Sequence, residues 1–334
     1  MHDVIISSGF LVDGTGSPGR VADIAIDGDR ITAVGPCGSL GMARRVIPAD
    51  GRLVTPGFVD THTHYDGQAS WDPWLTPSSW HGVTTVVGGN CGVGFAPVRP
   101  HQHEWLVQLM EGVEDIPGSA LTEGITWEWE TFPEDMDAAE KRGSGPNLAF
   151  LVPLAPARTY VLGLEGPDRA ATADETKKVA GIIEDSLAAG AWGWSTTAIR
   201  SHVGFGGKPL SARAASREEL ATYADVLKRA KNGIIELALT KRFANLDDDE
   251  MELLAFLLDK SNRPVTWLSL HNLIEKPDAI PQILAKVDPL IRRRGLPHVY
   301  LGYYVAGCRS LAYKAHYRPH EILALDGRWR GPAG

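Results

Sequence analysis

An apolar run that stops at two histidines one residue apart constrains this chain more than any other feature: residues 53–66 read LVTPGFVDTHTHYD. Val54 to Val59 has the composition of a buried strand. Side chains alternate faces along a strand, so His62 and His64 project to one side, roughly 7 Å apart along an extended backbone, and can converge on one ion. Neutral imidazole is a common ligand for zinc and similar ions, and an open coordination position beside it lets the ion activate water. Two solvated histidines at a strand end are the other account of a bare His-x-His.

From residue 53 onward, β-rich runs alternate with segments of helical period, the order of a parallel sheet with crossover helices. Candidate strands are 53–60, 83–88, 147–153, 191–196, 233–240, 264–271 and 298–305. Thr172-x-x-Glu175 and Ser216-x-x-Glu219 are capping boxes that open helices, and Val179, Ile182, Ile183 and Leu187 form one apolar stripe. Segments 247–260 and 277–294 also have helical period, the second expected to kink or break at Pro281 and Pro289. Before residue 53 the pieces are short and β-rich, with IAI at 24–26 and RITAVG at 30–35 joined across Asp27-Gly28-Asp29, a hairpin signal.

PGFVDTHTHYDG at 56–67 resembles the first barrel strand of the amidohydrolase superfamily of metal hydrolases. Within that superfamily the likeness is to N-acyl-D-amino-acid deacylases, or D-aminoacylases. It is carried by WDPWLTPSSWHGVTTVVGGNCGVGFAP at 71–97, EGITWEWETFPEDMDA at 123–138, RAATADE at 169–175 and GAWGWSTT at 190–197. The resemblance implies an α/β fold: a TIM-type (β/α) metal-dependent hydrolase barrel over 53–334 with a small N-terminal β-subdomain over 1–52. A closed barrel needs eight strands. About seven are found, and residues 306–334 offer no convincing eighth, so the barrel is expected to be incomplete.

Working residues in such barrels sit at the C-terminal ends of strands. The second strand ends in Gly88-Gly89-Asn90-Cys91-Gly92. A lone cysteine there reads as a small buried hydrophobe or, by resemblance, as a thiolate metal ligand. After the third strand, Arg158 either holds the carboxylate of an acylated amino acid, for which its planar fork is suited, or is an ordinary surface or capping arginine. Where many amidohydrolases carry a carboxylated lysine, this chain has STTAIRSH at 195–202 and no lysine before Lys208, a departure consistent with a cysteine-bridged site. Arg200 and His202 line the site mouth or sit in a solvated loop. Glu236 stands within the apolar fifth strand, where an unpartnered carboxylate is costly, so a cation or hydrogen-bond donors are expected beside it. His271 ends the sixth strand as a candidate ligand. Asp66 reads as a group that orients ligands rather than binds the ion.

The resemblance thus implies one or two Zn²⁺ ions, or another divalent metal, held by His62, His64, Cys91, Glu236 and His271. Arg158, Arg200 and His202 would then meet a small-molecule N-acyl amino acid or related amide. The family's general base, an aspartate ending the eighth strand, is not found, which leaves a barrel fragment that binds without turnover, or that needs a partner, as the competing reading. A cyclic-amide hydrolase or deaminase of the same superfamily is a third. An incomplete barrel also exposes strand edges, so self-association or a fragment of a longer protein is expected. The charge balance, 33 basic against 41 acidic residues, gives no reason to expect nucleic acid or an anionic membrane as partner. No run of eighteen apolar residues and no basic flank at Met1-His2-Asp3 leave the cytoplasm as the expected location.

Overall fold

The computed structural model describes residues 1–293, apart from Gly16, Thr240, Lys241, Phe243, Ser269 and His271, together with Ile322–Leu323 and Trp329–Arg330. Two compact units meet in sequence between Gly57 and Phe58. The first is a five-stranded sheet of β1 (His2–Leu11), β2 (Arg20–Asp27), β3 (Arg30–Gly35), β4 (Ala43–Pro48) and β5 (Leu53–Val54). The expected hairpin is there: Asp27 pairs with Arg30 across a turn in which Gly28 takes φ +60°, a conformation that costs glycine nothing. Leu11, Ala22 and Ile24 bury a small core of their own.

The second unit begins with β6 (Phe58–Asp60), followed by β7 (Val83–Gly88), β8 (Asn147–Phe150), β9 (Val152–Pro153), β10 (Gly193–Thr197), β11 (Ile234–Ala238) and β12 (Val265–Trp267). All pair in parallel, in the orders β6-β7-β8 and β9-β10-β11-β12. Since only Leu151 separates β8 from β9, the described residues provide six consecutive positions of a TIM-type (β/α) barrel. The expected strand 298–305 lies outside the described residues. The expected single strand 53–60 is corrected to two: Leu53–Val54 pairs with β1, whereas Phe58–Asp60 pairs with β7, with Pro56, which has no N–H to donate, between them.

Helices fill the crossovers: α1 (His103–Glu114), α2 (Gly118–Gly124), α3 (Phe132–Arg142), α4 (Leu154–Leu162), α5 (Ala173–Ala188), α6 (Arg217–Ala230), α7 (Asp248–Ser261) and α8 (Ala279–Arg293). Thr172 and Ser216 cap α5 and α6 as the sequence predicts. The predicted break in the last helix is absent. Pro281 falls in its first turn, where no intrahelical partner is lost, and the helix continues through Pro289 to Arg293. An interior proline costs about 3 kcal/mol. Against this, α8 buries Ile280, Ile283, Leu284, Val287 and Leu290, each worth about 1.5–3 kcal/mol, so burial outweighs the break. Among the described residues no helix is long and apolar enough to cross a membrane.

Candidate metal centre

His62 and His64 stand just beyond the end of β6. Thr63 between them donates both its backbone N–H and its hydroxyl to the Val87 carbonyl, at 3.0 and 2.8 Å. That pins Thr63 inward against β7 and turns both flanking imidazoles to the other side, their ring centroids 5.2 Å apart. Cys91 reaches the same place from a tight turn after β7, with its own φ at 55°. The turn requires glycine at 89, because a Cβ there would lie 1.9 Å from the Leu151 carbonyl oxygen. Asn90, fully buried, ties the turn down by donating to the carbonyls of Thr63 and Val87.

One donor atom from each of His62, His64 and Cys91 can be chosen so that all lie within 4.8 Å of one another. Cys91 Sγ is 3.5 Å from His62 Nε2. Glu236, from the middle of β11 and only 3% exposed, closes the group from beneath. Its Oε2 accepts the Cys91 backbone N–H at 2.8 Å, while its Oε1 lies 3.9 Å from His62 Nδ1. Asp66 Oδ1 accepts the Gly89 N–H at 2.6 Å, so Asp66 holds the turn that carries Cys91. Glu114, the last residue of α1, puts Oε1 3.3 Å from His64 Nε2. Sequence reasoning missed Glu114, since nothing in the local pattern of α1 says where that helix ends in space.

Four buried polar atoms here have no hydrogen-bond partner among the described residues: His64 Nδ1, Asp66 Oδ2, Asn90 Oδ1 and Glu236 Oε1. No lysine or arginine ion pair reaches Asp66, Glu114 or Glu236 among the described residues either. Burial, with Glu114 nearby, pushes the Glu236 carboxyl up to about 8. Burial likewise raises Asp66 to about 7, and burial and the Asp66 charge raise Glu114 to about 7. The Cys91 thiol is driven well above its ordinary value by burial and by the charges of Glu236, Glu114 and Asp66. Burial and the neighbouring His62 and His202 drop His64 to about 3, leaving it neutral. Buried carboxylates, a thiol and neutral imidazoles gathered without a cation form a costly arrangement that a divalent ion relieves. Two imidazoles, a thiolate and a carboxylate are a donor set that suits zinc.

These shifts make the stability of the metal-free protein depend on pH. Folded Asp66, Glu114 and Glu236 keep protons that the unfolded chain gives up near pH 4, so their contribution is present at low pH and fades as pH rises through 7–8. The depressed histidines act oppositely, but only below about pH 6.5, where the unfolded chain begins to protonate. Between about pH 6.5 and 8 the carboxylates act alone. Calorimetry of chelator-treated protein is expected to show a falling melting temperature across that window; a flat profile would contradict neutral buried carboxyls.

The remaining candidates separate. His202 is near the cluster, its Nδ1 3.1 Å from Thr197 Oγ1, and is depressed by burial, by Arg213 and by His62. Arg200 is exposed and lines a cavity of about 320 Å³ with Arg213, Arg217, Asp249 and Glu250. Arg158 does not reach a substrate: it is 0% exposed and its guanidinium is consumed within the protein. Nε and Nη2 make a two-pronged pair with Glu219 at 2.9 and 3.3 Å, and the other N–H groups donate to the carbonyls of Gly166, Ser211 and Arg169. Burial raises Glu219, but the bonds from Arg158, Ser216 and Ala171 outweigh it and leave the carboxyl below its ordinary value. His271 lies outside the described residues.

A strand-end His-x-His facing a cysteine turn among parallel barrel strands gathers donors that could hold a metal ion. The chain belongs to the amidohydrolase family, whose model matches residues 45–299. A second family, described as arginine-tRNA-protein transferase, C terminus, matches residues 281–324, which include the start of the stretch where no eighth strand is legible. D-aminoacylase of Alcaligenes xylosoxydans xylosoxydans is 35% identical over 218 residues, 65% of this chain and 40% of that protein. Among solved structures, a D-aminoacylase studied for its binuclear metal center superposes with a TM-score of 0.70 at 29% identity, covering 87% of this chain and 56% of the other. N-acyl-D-glutamate deacylase from Bordetella bronchiseptica, complexed with zinc and a phosphonate inhibitor, gives 0.68 at 25% identity, covering 88% and 57%. The chain therefore spans 40% of the length of the curated relative and little more than half of the two solved ones.

Proposed function

We propose that this chain carries a zinc site for hydrolysing the amide bond of N-acyl-D-amino acids. The observation that carries the reading is the convergence of His62, His64 and Cys91 above a buried, half-satisfied Glu236. The names of the relatives, D-aminoacylase and N-acyl-D-glutamate deacylase, support the substrate class, and the zinc in the latter supports the metal. When bound, zinc supplies a water acidified toward neutrality and a Lewis acid for the acyl carbonyl. His62 and His64 enter as neutral donors. Cys91 must give up its proton to become a ligand, so zinc uptake releases a proton and strengthens as pH rises. Glu236 holds the Cys91 backbone through one oxygen and offers the other to the ion. Arg200 and His202 are the residues we assign to the mouth, where the arginine's fork suits the carboxylate of the substrate.

A second reading is a barrel that binds metal without turnover. It is favoured by one observation: no aspartate on an eighth strand is present among the described residues to act as base. General-base assistance is typically worth about 10²- to 10⁴-fold in rate, so the two readings differ measurably. Zinc-loaded protein assayed against matched N-acetyl-D- and N-acetyl-L-amino acids should release free amine from the D series alone. Saturated metal with no amine released from any of these substrates would overturn the deacylase reading.

The thiolate assignment has its own test. Cys91→Ser should weaken metal retention far more than it lowers the melting temperature, and cobalt-substituted wild-type protein should show a thiolate-to-metal absorption band that the variant lacks. A cysteine that merely fills the core gives the reverse order and no band.

A further inference from the structure

The turn that carries Cys91 is buried from Gly89 to Gly92, so its backbone amides and carbonyls need partners inside the protein. Cys91 itself sits at φ 55°, a left-handed conformation that a residue with a side chain keeps only where its surroundings over-determine it. Asp66 takes the Gly89 N–H and Glu236 takes the Cys91 N–H, at 2.6 and 2.8 Å. The Gly89 carbonyl and the Gly92 N–H, which bracket the cysteine, both go to one side chain: the hydroxyl of Ser195 donates to the first, and its Oγ accepts from the second at 2.9 Å. Ser195 is 0% exposed on β10 and is the register partner of Glu236 on β11, so the two side chains leave the sheet on one face. The consecutive amides of Cys91 and Gly92 therefore fall one on each. The turn also rests closely on β10, since a Cβ at Gly92 would lie 3.0 Å from the Thr196 Cα.

We propose that Ser195 is a positioning residue of the metal centre: it clamps both ends of the cysteine turn and so aims the Cys91 thiolate at the place where His62 and His64 converge. The inference rests on the metal-site reading above. Cys91 Sγ lies 3.5 Å from His62 Nε2, and a ligand set works only when held to within about 0.5 Å of its productive geometry by the groups around it. A hydroxyl suits the task because one oxygen both donates and accepts. It also adds no charge to a place already crowded with the carboxyls of Asp66, Glu114 and Glu236.

Zinc affinity by chelator competition, measured well below the melting temperature of every variant, should fall about 10- to 100-fold in Ser195→Ala, the range for losing a group that orients a metal ligand. Ser261→Ala is the control. Ser261 is also 0% exposed, and its hydroxyl likewise bridges two backbone groups, donating to the Leu257 carbonyl at 2.8 Å and accepting the Arg263 N–H at 3.1 Å, but it ends α7 just before β12 begins, whereas the cysteine turn follows the end of β7. Its loss should lower the melting temperature and leave zinc affinity at the wild-type value. The Ser195→Ala loss should also vanish in a Cys91→Ser background, because a residue that acts through the thiolate has nothing to position once the thiolate is gone. Wild-type affinity in Ser195→Ala, an equal loss in Ser261→Ala, or a loss that persists in full without Cys91 overturns the proposal. A wild-type protein that takes up no zinc overturns the metal-site reading instead. The metal-free protein then still tests the clamp: amide exchange at Gly92 should speed in Ser195→Ala, and unchanged exchange there overturns it.

Discussion

Replacing His62 and His64 together with alanine is expected to reduce bound zinc to background while leaving the fold intact. Of the donors the structure brings together, the double change removes both nitrogens and leaves one thiol and one carboxylate. Structural zinc sites with four ligands reach apparent binding free energies of about 10–16 kcal/mol, and two ligands cannot sustain that against a chelator. The fold should survive because both rings are only partly buried and lie outside the main hydrophobic cluster, while Thr63, which anchors the segment to Val87, is untouched. Elemental analysis after dialysis against chelator, with circular dichroism on the same samples, checks both halves. Metal per chain equal to wild type would remove the basis for the site.

Arg158→Ala is expected to be among the most destabilising single changes in the second unit, at about 3–5 kcal/mol, the cost of stranding one member of a buried ion pair. The stranded partner would be Glu219, 1% exposed, which also accepts from Ala171, Ser216 and Tyr223 and so cannot turn toward water. Three carbonyls, Gly166, Ser211 and Arg169, would lose their donor as well. Lysine should not rescue, because a point charge cannot reproduce the planar fork. Replacing both partners by apolar residues, Arg158→Met with Glu219→Leu, should cost less than Arg158→Ala alone, since no charge is then left buried. Urea unfolding of the single and double variants reads this directly. An Arg158→Ala protein within about 0.5 kcal/mol of wild type, the range of an ordinary surface change, would return Arg158 to the pool of substrate-binding candidates.

The pair also shows where local pattern stops informing. Ser216-x-x-Glu219 is legible as a capping box, and it caps α6 as expected. That the same glutamate neutralises an arginine 61 residues earlier is not, because the pairing depends on how α4 and α6 lie against each other. From its place after the third strand, Arg158 reads as either a substrate clamp or an ordinary surface or capping arginine. The chain turns into α4 at Leu154 without a loop, however, and the side chain is carried into the packed interior.

Sequence alone determined whatever repeats at short range. The alternation of strands and helices, the capping boxes, the Asp27–Arg30 hairpin and the shared face of His62 and His64 all follow from periods of two and 3.6 residues and from turn chemistry, which act within a few positions of the chain. It also marked Cys91 and Glu236 as candidates for a cation site, since a cysteine among glycines at a strand end and a carboxylate in an apolar strand are each anomalous where they stand. Tertiary structure alone decided which anomalies meet: Glu236 beneath Cys91 across 145 residues, Glu114 against His64 from the end of a helix, and α8 unbroken through Pro289 because its apolar face is buried. Burial and electrostatic contact depend on distance in space, and the strand-to-strand pairing of a barrel sets those distances between residues that no local pattern connects.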